Sequence, residues 1–279
     1  MHWSIRKDVH GYEKLAARLR TLIGVDMPPT EKNRTLMACR LAPLMRRHRC
    51  ENYGQYDALL QRGRQEVVRE FISTLTTHTT DFFRESQHFR FFPYILRDIE
   101  TRKLRAGRPE IRVWCAAAST GQEAFTMLIS ILESGTRAGS WALKFLASDI
   151  DRAALVKASI GRYSVDEMAK VPGAVRERYF DLHRGAVGNS YRVKEKFRRL
   201  ITFAEFNLST NKYPFQHEFD VVFCRNVLIY FATQSGIRVV DHIVDHMASG
   251  GYLFVGHSET GFVKNRKLLT VAPAVFQKL

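Results

Sequence analysis

The features that mark secreted, membrane and metal-binding proteins are scarce in this sequence. No apolar run reaches the roughly 18 residues that a membrane-spanning helix needs, and residues 1–10 lack the apolar core of a secretory signal. Cysteine is rare, and the four present form no CxxC pair and no metal-ligand spacing: Cys39, Cys50, Cys115 and Cys224. We therefore expect a cytoplasmic protein with buried, unpaired thiols, no disulfide and no metal.

A glycine-rich phosphate loop is missing as well. The first strand of the expected sheet runs into IRVWCAAASTGQE (111–123), which carries one glycine, Gly121, rather than GxGxxG. A dinucleotide pyrophosphate needs those glycines for close approach to the backbone. This absence disfavours a nicotinamide-dependent oxidoreductase and suits a nucleoside-type ligand whose charged end is an amino acid.

Acidic residues are in the minority. The chain has 279 residues, with 43 Lys and Arg against 28 Asp and Glu, which gives a net charge of +15. Such a field speeds encounter with polyanions, which include nucleic acid, an anionic membrane surface and an acidic protein surface. Net charge alone does not choose among them.

Two regimes of hydrophobic patterning divide the chain. From Tyr12 to about Thr80 the spacing is helical, and Gly24 ends the first helix. After Gly107, short β-branched or aromatic runs at 111, 143, 200, 220 and 252 alternate with helical stretches at 121–134, 151–158 and 234–248. This alternation predicts βαβ units and an α/β fold with a mainly parallel, doubly wound sheet.

The polar stretch between residues 86 and 109 separates these regimes, and we expect a helical N-terminal domain at 1–85 and an α/β domain at 86–279. Within the second domain, Gly185, Gly188 and Asn189 precede an alternating YRVKEKF run. They predict a small β-subdomain at about 181–202, built around a hairpin that leans on its neighbours. A plain surface excursion is the alternative.

Polar groups gather where the predicted strands end. Asp149 follows the second strand and can accept hydrogen bonds from both hydroxyls of a ribose, although a capping role for Asp149 and Asp151 is equally compatible with the sequence. Arg225 and Asn226 follow a third strand, and Tyr230 lies about one helical turn beyond Asn226. A helix cap and a half-buried core tyrosine are the structural alternatives there.

Two further readings remain open at this stage. The small residues before Gly121 suit a cofactor loop, but they suit close packing of a helix on a strand equally well. In TTHTTDFFRE (76–85), a helix starting at Thr80 would place Thr80 and Arg84 on one face. Taken alone, that segment is an ordinary capped helix.

Taken together, these segments resemble the chemotaxis receptor methyltransferases (CheR), which use S-adenosylmethionine to methylate glutamate side chains of chemoreceptors. The resemblance covers nearly the whole chain and is carried, in order, by FFRE after a Thr-rich run, WCAAASTGQE, ASDID, Asn207-Leu208 in FAEFNL, CRNVLIYF and GHSE. It implies a helical N-terminal domain, a Rossmann-like S-adenosylmethionine-dependent methyltransferase sheet that ends in an antiparallel strand near AVFQKL, and a small inserted β-subdomain.

The resemblance also implies a site. Asp149 would hold the ribose of S-adenosylmethionine, Asn207 and Leu208 would contact its adenine, and Glu123 would lie near its methionine part with the Thr-rich segment. Arg84 and Tyr230 would form the catalytic pair. The full implied cofactor set is His78, Thr80, Arg84, Glu123, Asp149, Asn207, Leu208, Arg225 and Asn226.

The chain departs from the family pattern at three places. His78 stands where many relatives have Asn, which makes this contact the least secure. Cys115 stands where Ser is common, and Gln122-Glu123-Ala124 replaces the usual Glu-Glu-Pro.

The family's partners are the cytoplasmic domains of chemoreceptors, which bring such an enzyme to membrane receptor arrays without membrane insertion. Residues 32–49 are basic without a single acid, and we expect their face around Arg40 and Arg47 to meet the acidic methylation helices; a solvated face is the alternative. Pro43 is expected to kink or interrupt that helix. In some relatives the β-subdomain also binds a receptor C-terminal pentapeptide by strand addition, which Gly185 and Gly188 permit here.

Two rival functions come from other classes. The net charge favours a nucleic-acid methyltransferase, but the chain has no Asn-Pro-Pro-Tyr or Asp-Pro-Pro-Tyr run and no Pro-Cys nucleophile, so no nucleic acid is expected as a partner. A non-catalytic adaptor that keeps the cofactor pocket is opposed by the presence of both Arg84 and Tyr230.

Overall fold

The computed structural model describes residues 8–107, 109–136, 141–185 and 188–279. Its N-terminal part packs helices around a core that includes Leu15, Leu41 and Phe71, all fully buried. Gly24 ends the first helix as predicted, in a left-handed conformation (φ 74°) that glycine adopts without steric cost. These helices are α1 (Val9–Ile23), α2 (Glu31–Arg47), α3 (Tyr53–Gln61) and α4 (Gln65–Leu75).

Helix α2 continues through Pro43, so the expected interruption does not occur. Pro43 and Cys39 both lie on the exposed side of the helix, so the expectation of a buried thiol was wrong for Cys39. The carbonyl of Cys39 receives no helical hydrogen bond, because Pro43 has no N–H to donate. Water can bind that carbonyl, so the missing hydrogen bond costs the helix little stability.

The segment between α4 and the next helix is not helical, so the helix expected from Thr80 was wrong. Residues 77–81 carry no regular structure and residues 82–85 form a turn in which Phe83 and Glu85 have positive φ (54° and 53°). Helix α5 begins only at Ser86 and runs to Arg105.

In the described residues, a seven-stranded sheet follows, made of β1 (Glu110–Cys115), β2 (Ala142–Asp149), β6 (Ile201–Glu205), β7 (Phe219–Cys224), β8 (Met247–Val255), β9 (Leu268–Ala272) and β10 (Val275–Lys278). The strand order is β6-β2-β1-β7-β8-β10-β9. The first five strands in that order are parallel, and β10 pairs antiparallel with β8 and β9. The predicted doubly wound sheet and its final antiparallel strand are thereby confirmed.

Helices cover both faces of this sheet. Helices α5 and α6 (Gln122–Glu133) share one core with the sheet, and α10 (Thr233–Asp245) lies in the core on the other face. Helix α7 (Arg152–Ile160) contacts α4 and so joins the sheet to the N-terminal helices. The helix predicted at 234–248 is three residues too long, because Met247 already pairs with Phe219 as the first residue of β8.

The inserted hairpin is confirmed as the pair β4 (Phe180–His183) and β5 (Ser190–Val193). It gains a strand that the sequence reading missed, β3 (Arg162–Ser164), and helix α8 (Gly173–Tyr179) precedes it. The alternation in YRVKEKF stops at Val193, since the short helix α9 (Glu195–Arg198) follows. Glycines 185 and 188 flank residues 186 and 187, which lie outside the described residues.

This three-stranded sheet leans on the turn at 82–85. The ring of Phe82 is fully buried and meets the rings of Tyr163 and Phe180 edge to face, at centroid distances of 4.9 and 5.7 Å. The domain limits drawn from the sequence (1–85, 86–279 and about 181–202) stay predictions. Within the described ranges, no helix has both the length and the apolar character to cross a membrane.

Candidate functional site

A cleft lies where the carboxyl ends of β1, β2 and β7 face the N-terminal helices. The strand order reverses between β1 and β7, which is where open α/β sheets bind their ligands. The cleft brings together every residue that the sequence predicted for the site: His78, Thr80, Arg84, Glu123, Asp149, Asn207, Leu208, Arg225, Asn226 and Tyr230.

The turn after β1 divides its small residues between two tasks. Ala116, Ala117 and Ser119 line the cleft, so a ligand can approach the backbone there. Gly121 does not line it: a Cβ at this position would lie 2.8 Å from the hydroxyl oxygen of Tyr163 and 2.9 Å from the Cβ of Ala158. The close packing expected at Gly121 is confirmed, and the small residues before it leave room for a ligand, so the cofactor loop stays a prediction.

The two aspartates after β2 also separate. Asp151 caps α7 by accepting from the backbone N–H of Ala153 and Ala154. Asp149 accepts from the N–H of Ser119 (2.7 Å) and of Asp151 (2.9 Å), and it faces the cleft. Burial raises the pKa of Asp149, against the effect of these two hydrogen bonds. A carboxylate held in this way keeps lone pairs available for hydroxyl donors.

His78 faces the protein more than the cleft interior. Its Nε2 lies 2.8 Å from Oδ2 of Asp151, and its Nδ1 lies 3.4 Å from the hydroxyl of Ser119. The hydrogen bond with Asp151 raises the pKa of His78, although burial opposes it. The residue that departs from the family pattern thus ties residues 76–80 to the strand ends.

Arg40 fixes the same segment from the other side. Its Nη1 donates to the carbonyls of Leu75 (3.0 Å) and Thr76 (2.9 Å). The sequence analysis placed Arg40 on a docking face, but the structure gives it an internal partner. Arg47 pairs with Glu70 at 2.9 Å, so it too is occupied.

Arg225 is completely buried beneath the cleft. Its Nη1 lies 2.9 Å from Oε2 of Glu123, and its Nη2 lies 3.3 Å from Oε2 of Glu85 and donates to the carbonyl of Arg84 (2.7 Å). Burial raises the pKa of Glu123, and the charge of Arg225 opposes this. The guanidinium therefore organises the cleft wall from within the protein.

Asn207 likewise uses its side chain inside the protein. Its Nδ2 donates to the carbonyl of Leu22 (2.8 Å), and its Oδ1 accepts from the backbone N–H and the hydroxyl of Ser209. The hydrogen bond between Asn207 and Leu22 joins α1 to the loop that follows β6. Leu19, Ile23 and Val25 from α1 and its end line the cleft as well, which the sequence did not indicate.

Arg84 and Tyr230 come from turns that are far apart in sequence. Arg84 is half-buried and donates from Nη1 to the carbonyl of Thr79 (2.9 Å). Tyr230 ends a 3₁₀ helix, and its carbonyl accepts from the N–H of Asp26 (2.8 Å). Val25 pairs antiparallel with Phe231, so the end of α1 clasps the Tyr230 turn.

Two acidic residues at the site carried no predicted role. Glu85 accepts from Asn226 Nδ2 (3.0 Å), and Glu259 accepts from the backbone N–H of Asn226 (2.7 Å) and Ile229 (3.2 Å). Both stand in the FFRE and GHSE motifs, which were the available signal. Only the folded chain places these motifs beside Asn226.

Comparison with known proteins identifies the family to which this chain belongs. The model of the CheR methyltransferase all-alpha domain matches residues 10–76, and that of the CheR methyltransferase SAM binding domain matches residues 78–275. Chemotaxis protein methyltransferase 2 of Pseudomonas aeruginosa is 32% identical over 269 residues, covering 95% of this chain and 91% of that protein.

Two further relatives agree. A chemotaxis protein methyltransferase of Borreliella burgdorferi is 31% identical over 252 residues, covering 89% of this chain and 88% of the relative. The chemotaxis protein methyltransferase of Escherichia coli is 35% identical over 231 residues, covering 82% of this chain and 77% of the relative.

The cleft fits S-adenosylmethionine. Small residues leave room for a ligand at the β1 turn, and Asp149 stands at the tip of the second strand, where its carboxylate can accept from ribose hydroxyls. The chain therefore belongs to the CheR methyltransferase family, and S-adenosylmethionine is its cofactor.

Proposed function

We propose that this protein transfers a methyl group from S-adenosylmethionine to glutamate side-chain carboxylates of chemoreceptors, for chemotactic adaptation. One observation carries the proposal: Arg84 and Tyr230, the implied acceptor-binding pair, line the same cleft as the implied cofactor residues. The relatives' names as chemotaxis protein methyltransferases support the acceptor class.

The chemistry asks for positioning rather than for a base. A glutamate side chain, with an ordinary pKa of about 4.3, is already ionised at neutral pH. Its oxygen attacks the methyl carbon, the carbon–sulfur bond breaks, and sulfur keeps the electron pair as the neutral thioether of S-adenosylhomocysteine. Arg84 would hold the carboxylate by a charge-assisted hydrogen bond and Tyr230 by its hydroxyl, while the cleft excludes water.

The cofactor would lie across the strand ends. Asp149 would accept from the ribose hydroxyls, and Leu208 and the backbone at Asn207 would contact the adenine, since the Asn207 amide is already bonded to Leu22. Thr80, His78 and Glu123 would lie near the methionine part. Arg225 and Asn226 would act on the cofactor through the wall that they shape, because Arg225 is buried among protein partners.

The receptor would dock on the basic surface of α2. Arg40 and Arg47 have partners within the protein, so the docking charges belong to the exposed Lys32, Arg46 and Arg49. Reversing Arg46 and Arg49 to Glu should slow receptor methylation and make the remaining rate less sensitive to salt. Unchanged methylation at low salt would refute this docking surface.

A second contact would use the three-stranded sheet. In the described residues β5 is the central strand, so β3 and β4 each have one unpaired edge. A receptor C-terminal peptide would add to an edge by main-chain hydrogen bonds. Removing that peptide from a receptor should raise KM with kcat unchanged, and an unchanged KM would leave the edge without this role. Such contacts would recruit the enzyme from the cytoplasm to receptor arrays.

A transfer assay separates this function from its rivals. The protein is incubated with methyl-labelled S-adenosylmethionine and either receptor cytoplasmic domains or RNA. Carboxyl methylation predicts label on the receptor that base releases as methanol. Label on RNA would support the nucleic-acid methyltransferase favoured by the net charge of +15, and cofactor binding without transfer to either acceptor would support an adaptor.

A further inference from the structure

Backbone strain is concentrated around the acceptor side of the cleft. Phe83, Glu85 and Asn226 have positive φ values of 54°, 53° and 58°, a conformation that residues with a Cβ adopt rarely, although Asn does so more readily than Phe or Glu. Phe83 and Glu85 flank Arg84, and Asn226 begins the loop that leads to Tyr230. Such strain persists only where surrounding contacts hold it, so the question is which contacts do so.

Glu85 connects the two strained turns. Its Oε1 accepts from Asn226 Nδ2 (3.0 Å), and its Oε2 lies 3.3 Å from Arg225 Nη2 and 2.8 Å from His257 Nδ1. Arg225 in turn donates to the carbonyl of Arg84. One carboxylate thus ties the Arg84 turn to the start of the Tyr230 loop, across 141 residues of sequence.

The groups around Glu85 favour its ionised form. Burial would raise the pKa of Glu85, but the hydrogen bond from Asn226, the charge of Arg225 and the hydrogen bond from His257 outweigh it and lower the pKa to about 2. The ring of His88 stacks on that of His257 with centroids 4.8 Å apart. Burial lowers the pKa of His88 to about 4, so it packs as a neutral ring.

Glu85, His88 and His257 do not form a metal site in this arrangement. The two imidazole planes are parallel within 2°, so their in-plane lone pairs cannot converge on one ion. Both Glu85 oxygens already meet donors. His257 is a hydrogen-bond partner of Glu85, whereas His88 stacks on His257 and its Nδ1 lies 3.7 Å from Glu85, too far for a hydrogen bond.

We propose that Glu85 is a positioning residue for methyl transfer: it sets the distance and angle between Arg84 and Tyr230 and thereby aligns the acceptor carboxylate with the methyl group. This inference rests on the proposed function and names the residue that prepares its acceptor side. Glu85 itself touches neither substrate, since its oxygens face Asn226, Arg225 and His257.

The test compares Glu85→Ala, Glu85→Gln and a control, Asp81→Ala, which removes an exposed carboxylate paired with Lys170 outside this network. We expect Glu85→Ala to lower kcat about 30-fold while the dissociation constant for S-adenosylhomocysteine changes less than about threefold. Glu85→Gln should lose less, because its amide oxygen still accepts one hydrogen bond. Asp81→Ala should match the wild type.

A double-mutant cycle excludes a merely structural effect. If Glu85 acts by placing Arg84, then Glu85→Ala should cost less than about threefold when added to Arg84→Ala. Equal factors in both backgrounds would overturn the proposal, and so would an unchanged kcat or a cofactor affinity that falls as far as kcat does.

Amide hydrogen exchange tests the role of Glu85 without a methyl-accepting substrate. Glu85→Gln should speed amide exchange in residues 82–86 and 226–230 and leave the core strands unchanged. Unchanged exchange in both turns would overturn the proposal even if activity fell. If the wild type fails to methylate receptors, the proposed function fails, while this exchange result still decides the role of Glu85.

Discussion

The two sides of the cleft are built in different ways. The cofactor side, defined as residues 116–119 with Asp149, lies within a single βαβ unit, and its bond from Ser119 to Asp149 spans 30 residues. The acceptor side, defined as the turns 82–85 and 225–230, depends on bonds that span 141 residues (Asn226 to Glu85) and 172 residues (His257 to Glu85). The cofactor side is held by contacts between residues close in sequence, whereas the acceptor side forms only when distant segments have folded together.

The difference extends to strain and charge. The cofactor side has one residue with strained backbone, Ser119 (φ 48°), whereas the acceptor side has three. Buried Arg225, between Glu85 and Glu123, offsets that strain with charge-assisted contacts. We infer that loss of the Glu85 contacts leaves the cofactor contacts at Asp149 and at the β1 turn in place, so turnover should fall further than cofactor affinity.

The strongest way to break this comparison is Arg84→Ala. It removes the only proposed cation for the acceptor, and losing a charge-assisted hydrogen bond in a partly dry site should lower kcat about 100-fold. Steady-state methylation of a receptor domain measures it. Near-normal turnover would remove Arg84 from the acceptor side, and a matching loss of cofactor affinity would move it to the cofactor side.

Asp149→Asn tests the cofactor side. The amide cannot accept from two ribose hydroxyls and two backbone N–H groups together, so the dissociation constant for S-adenosylhomocysteine should rise about 30-fold. Titration calorimetry measures this constant directly. An unchanged affinity, with the fold intact by circular dichroism, would contradict the assignment of the ribose to Asp149.

Tyr230→Phe sharpens the comparison with a smaller change. It deletes one hydroxyl and keeps the ring in the cleft wall, so kcat should fall about fivefold with cofactor affinity unaltered. Rapid-quench measurement of a single turnover isolates the chemical step. A change in cofactor affinity with kcat unchanged would assign Tyr230 to the cofactor side of the cleft and contradict its role in holding the acceptor.

His78→Asn should have the smallest effect, and the effect should depend on pH. The pKa of His78 is raised in the folded state by the hydrogen bond with Asp151 and by the charges of Asp151 and Asp149, with burial and Arg40 opposing. Its stabilisation is therefore complete below about pH 6.5 and is lost as pH rises through the folded-state pKa.

Thermal unfolding of the wild type and of His78→Asn from pH 5.5 to pH 9 checks this sign. The Tm difference should be on the order of 2 °C at the acidic end and should shrink toward the basic end. A difference that grows with pH would mean that the His78–Asp151 contact does not favour the charged ring.

The sequence predicted the local side of the molecule better than the long-range side. The strand tips of β1, β2 and β7 follow from short hydrophobic runs that alternate with helical stretches. Parallel strands end at one edge of the sheet, so Asp149 and Arg225 could be placed together in advance. All ten predicted site residues indeed line one cleft.

What the sequence could not indicate depends on contacts between distant segments. Arg40 reads as one more cation on a basic helix until Leu75 and Thr76 are placed beside it. The turn at 82–85 reads as a helix start, because local propensity does not reveal the Phe82 contact or the Glu85 bonds that hold a strained backbone. Roles inside the site, such as that of the buried Arg225, required the same information.

Mass spectrometry of a receptor cytoplasmic domain, after incubation with the protein and S-adenosylmethionine, tests the central claim most directly. The account predicts methyl esters on defined glutamates, absent when those glutamates are changed to Gln and formed about 100-fold more slowly with Arg84→Ala. Methylation of any other side chain, or a methylation rate that Arg84→Ala leaves unchanged, would contradict it.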